Sequence, residues 1–87
     1  MVNKRTLKKG INIICEEIIA ECLAAALYGH NKDHAEALIY STLKMRENYL
    51  SRVSHPEPGM AARKYYNDLR AKFVAEADEI IDQLSNL

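Results

Sequence analysis

The sequence predicts an all-α protein, an up-down-up antiparallel three-helix bundle that dimerises into a larger helical bundle. Three observations carry this. Apolar residues recur at three- and four-residue steps in three long segments, and no segment alternates as a strand would. The links between segments are only a few residues long, which makes neighbouring helices antiparallel. The first segment also carries a second apolar stripe that three helices alone would leave wet.

The first helix is predicted over about residues 6–28. Leu7, Ile11, Ile14, Cys15, Ile18, Ile19, Cys22, Leu23 and Ala26 fall on one broad face. Thr6 is its expected N-cap, and Gly29 its left-handed stop. The second helix is predicted over about residues 33–53, with Asp33 and Glu36 spaced as a capping box. Its apolar face reads Ala35, Leu38, Ile39, Thr42, Leu43, Tyr49, Leu50 and Val53, with Arg46 in the middle. A guanidinium there must snorkel or pair, and Glu17, Glu21 and Glu76 are the partners its level suggests. Pro56 and Pro58 end the helix and stiffen the link.

The third helix is predicted over about residues 59–85. Ala62, Tyr66, Leu69, Phe73, Ala77, Ile80, Leu84 and Leu87 step as a near-heptad seam, which Val74 and Ile81 widen. Ile18, Cys22, Leu38, Tyr49, Leu50, Leu69, Phe73 and Ile80 are expected to be mostly buried. The 87 residues make one domain, spanning 1–87, with no internal repeat and no low-complexity run. A domain this small has a thin margin of stability unless further burial is added.

Chemistry-bearing patterns are sparse. Cys15 and Cys22 are two helical turns apart, about 10.5 Å between Cα atoms, too far for a disulfide. Both read as small buried hydrophobes in a reducing cytoplasm. Glu-x-x-His and His-Glu-x-x-His are absent. His30, Asp33 and His34 gather at the first turn, where a metal is conceivable, but Gly29 breaks the helix that would align the imidazoles. The turn is therefore expected to be structural and metal-free. No serine lies in a Gly-x-Ser-x-Gly setting, and three glycines leave no phosphate-binding loop. Neither enzymatic activity nor a cofactor is expected. Glu16, Glu17 and Glu21 interrupt the apolar N-terminal segment, which excludes a signal-peptide core or a membrane span.

Twelve Lys and Arg balance twelve Asp and Glu, but they are sorted along the chain. Residues 1–15 and 44–72 hold eleven basic and three acidic side chains, a net +8, while the remaining residues hold one basic and nine acidic, a net −8. In an up-down-up bundle these become a basic and an acidic half. Basic residues opening helices one and three oppose the helix dipole, which suggests another use for the field.

The expected function is that of a non-enzymatic cytoplasmic bundle acting through protein–protein contact, with itself or with another protein. The expected self-association stripe is Ile13, Ala20, Ala24 and Leu27 on helix one, opposite the core face. The alternative is a small nucleic-acid-associated protein using a basic patch of Lys4, Arg5, Lys8, Lys9, Arg63 and Lys64. Helices of this length exceed a compact helix-turn-helix module, and the acidic half would repel DNA, so nucleic acid is the weaker expectation. No membrane partner is expected.

Overall fold

The computed structural model describes residues 3–29 and 31–87. Three α-helices make up the fold: α1 (Lys4–Tyr28), α2 (Lys32–Ser54) and α3 (Ala62–Ser85). No strand occurs among the described residues. The helices have 25, 23 and 24 residues and pack into a rod of 47 × 19 × 18 Å. Each helix contacts both others, as in a bundle.

The helix ends differ from the sequence expectation in their caps. α1 starts two residues before Thr6, because the Asn3 side chain accepts a hydrogen bond from the Thr6 N–H at 2.8 Å. Asparagine outranks threonine as a cap, and the earlier start adds half a turn of helix. α2 is capped by Asn31, whose side chain accepts from the His34 N–H at 3.2 Å. Asp33 therefore lies inside the first turn, where its charge favours the helix N-terminus.

Gly29 is extended (φ −91°, ψ 179°) rather than left-handed, yet glycine is still required there. A Cβ at Gly29 would run into the backbone carbonyl oxygen of Ala25. The left-handed residue is Gly59, at φ 84°. That turn postpones α3 to Ala62, three residues later than the start expected at about residue 59.

The core is a single seam. α1 contributes Leu7, Ile11, Cys15, Ile18 and Cys22; α2 Ala35, Leu38, Met45, Tyr49 and Val53; α3 Leu69, Phe73, Ala77 and Ile80. Tyr49 and Phe73 meet edge to face, ring centroids 5.3 Å apart. Buried Thr42 satisfies its hydroxyl by donating to the Leu38 carbonyl at 2.7 Å. Of the expected core, only Leu50 is half-buried rather than buried. The covered arc is narrower than the apolar arc, so Leu23 (51% exposed) and Leu43 (44%) lie outside it. Met45, not expected in the core, lies inside it.

Arg46 has a different partner from the carboxylates its level suggests. Its Nε donates to Oδ1 of Asn12 on α1 at 2.8 Å, half-buried. A neutral amide satisfies the guanidinium there without the cost of desolvating a carboxylate as well. At the other link, Tyr65 donates to the Arg52 carbonyl at 2.9 Å and Tyr66 to the Val53 carbonyl at 3.2 Å. Two phenols of early α3 thus occupy carbonyls that the end of α2 leaves without helical partners.

Because Phe73 is 2% exposed at the centre of the seam, Phe73→Ala is expected to cost about 3–5 kcal/mol. A thermal melt should show Tm lowered by more than about 10 °C for a domain of this size. A shift of only a few degrees would refute the central role of this ring.

Candidate self-association surface

Helical geometry places Ile13, Ala20, Ala24 and Leu27 on the side of α1 turned away from Ile11, Ile18 and Cys22. All four are exposed, Ile13 at 46% and Leu27 at 74%. Exposed Leu23 and Tyr28 extend the apolar area towards the C-terminal end of α1. Between Ile13 and Leu27 the stripe itself carries the two methyl side chains of Ala20 and Ala24, with the exposed carboxylates Glu16 and Glu17 on either side of it.

Beside this face α1 and α3 part to form two adjoining clefts. The first, about 450 Å³, is lined by Leu7, Ile11, Ile14, Phe73 and Val74, with Arg70 at its edge. The second, about 300 Å³, shares Ile14 and Val74, adds Ile81, and is edged by Glu17, Glu21 and Asp78. Val74 and Ile81 remain 41% and 40% exposed. The sequence shows these two residues widening the α3 seam. That they border a groove depends on how far α1 and α3 separate, which periodicity along one helix does not encode.

The expected basic patch is mostly solvated. Lys4, Arg5, Lys9, Arg63 and Lys64 are exposed and Lys8 is half-buried. Lys64 is committed to Asp68 at 3.2 Å, one turn along α3. The other ion pair among the described residues is Lys32–Glu36 at 3.9 Å. Arg70, Glu17, Glu21 and Asp78 therefore make no ion pair with the described residues.

His30 lies outside the described residues, so the expected turn cluster is not described as a unit. Asp33 is exposed and His34 half-buried. Among the described residues no three His, Cys, Asp or Glu side chains converge as metal ligands would. No helix among them is long and apolar enough to cross a membrane.

Compared with known protein families, curated proteins and solved structures, the chain matches none.

Cys15 and Cys22 are fully buried free thiols. Burial pushes both above the ordinary value of 9.0; Arg46 pulls Cys15 partly back, and Glu21 pushes Cys22 further up. A buried thiol held in its neutral form is a poor nucleophile at neutral pH. Burial likewise raises the Tyr49 phenol above 10.0, with Glu76 acting in the same direction and Arg52 opposing. In each case the unfolded chain ionises first as pH rises. The stabilisation is complete below the unfolded values and is lost as pH climbs through the folded ones. Urea midpoints should therefore fall progressively from pH 9.0 upward. The Cys15→Ala/Cys22→Ala variant should show a smaller loss just above that pH than the parent.

Proposed function

We propose that the protein is a non-enzymatic bundle, its helices running up, down and up, that works in the cytoplasm by protein–protein contact as a homodimer. The observation that carries this is the uncovered outer face of α1, where Ile13 and Leu27 are wet on either side of Ala20 and Ala24. A second copy covering that face would add the burial that a short chain lacks.

The up-down-up reading is supported by contacts along the helices. Arg46, in the second half of α2, bonds to Asn12 in the first half of α1. Tyr65 and Tyr66, early in α3, bond to Arg52 and Val53, late in α2. With that topology the basic and acidic sets form opposite halves of the rod. A two-fold antiparallel pair lays the basic half of each subunit beside the acidic half of the other.

Light scattering on the purified protein should give the mass of a dimer. Ala24→Glu and Ala20→Lys should each shift it to the monomer while far-UV circular dichroism stays helical. A parent that is monomeric at high micromolar concentration overturns the reading, as does a dimer indifferent to both substitutions. Nucleic-acid binding through Lys4, Arg5, Lys8, Lys9, Arg63 and Lys64 is tested separately. Retention on duplex DNA at low salt, lost steeply on raising it, would favour that function instead. The expected result is no retention.

A further inference from the structure

The two clefts between α1 and α3 form one groove whose ends carry opposite charge. Arg70 stands at one end and Glu17, Glu21 and Asp78 at the other, with Ile14 and Val74 lining both clefts at the midpoint. From Leu7 to Glu21 the groove follows α1 for about 21 Å, enough for some four turns of another helix. Its floor is apolar, and Val74 and Ile81 are already part-exposed. None of the four charged residues forms an ion pair with a described residue.

Resting on the self-association reading above, we propose that this groove packs face to face against the same groove of a second copy, antiparallel, with a two-fold axis crossing it near Ile14 and Val74. A two-fold axis at the midpoint superposes the Arg70 end of each groove on the acidic end of the other. Arg70 of each subunit then faces the partner subunit's Glu17, Glu21 and Asp78. The seat adjoins the outer face of α1, with exposed Ile13 at its rim. A groove of single charge would suit a partner of opposite charge. A groove with one basic and one acidic end is complementary to its own reversed copy, and this favours the chain itself as occupant.

Charge reversal tests the seat. Arg70→Glu makes both ends acidic, and Glu17→Arg/Asp78→Arg makes the acidic end basic. Each variant alone should dimerise about tenfold or more weakly than the parent, because like charges meet at both ends of the contact. Mixed in equal amounts, the two variants should recover the dimer mass, since each supplies the charges the other has lost. The parent dimer should also weaken as salt rises, because the pairs are partly exposed. This second readout requires no variant to fold. Failure of the mixture to recover a dimer from two folded variants, or a parent dimer insensitive to salt, overturns the groove as the seat. A parent dimer that ignores both reversals but is broken by Ala24→Glu also overturns the groove while leaving self-association standing. A monomeric parent overturns both.

Discussion

The fold depends on one seam of side chains, centred where Tyr49 meets Phe73 edge to face. Three helices enclose a single line of contact, so each has one buried face and most of its circumference in water. Every other feature adjusts to this shortage of interior. Thr42 is admitted because its hydroxyl can turn back to its own helix. Arg46 stays at the margin, where an amide from α1 satisfies it. The two cysteines are fully buried in the seam as small, neutral groups.

Periodicity made most of that seam readable. Ile18, Cys22, Leu38, Tyr49, Leu69, Phe73 and Ile80 are buried as their spacing requires, because a residue's angle around a helix is fixed by its number. The misplacements sit at the edge of the arc or at the ends of the α3 seam, where Ala62 and Leu87 are exposed. Leu23 and Leu43 are apolar but stand where no second helix covers them, while Met45 is pulled under α3. The width of the covered arc depends on how closely the helices approach, which is a property of the pair and not of either sequence. The caps failed for a local reason. Asn3 and Asn31 compete with Thr6 and Asp33 for the same helix start, and the earlier asparagine wins each time.

The candidate surface was readable in part. The outer stripe of α1 follows from residue numbers alone, and all four of its members are exposed. The groove does not follow, because it needs Ile14 of α1 and Val74 of α3 to border the same space. Nor does the Asn12 contact of Arg46, since reasoning from charge looks first for a carboxylate. A basic residue at an interhelical edge can be satisfied by any acceptor at the right level. At half burial the neutral one avoids desolvating an anion.

The helix dipoles give the charge sorting its physical meaning. α2 follows the favourable pattern, with Asp33 in its first turn and Arg52 in its last. α1 and α3 have no acidic residue in the first turn and no basic residue in the last, and both open with basic side chains. Each unfavourable end costs about 0.3–1 kcal/mol when exposed. In an up-down-up rod all these ends obey one rule: bases gather at the end where α1 and α3 begin and α2 stops, and acids gather at the other. A monomer gains nothing from that rule except at the two ends of α2. In the proposed antiparallel dimer the partner's acidic half lies beside the starts of α1 and α3, and its basic half beside the end of α3. Charges that oppose the dipoles within one chain are then neutralised between chains, and the same arrangement disfavours a parallel pair, in which like halves would meet.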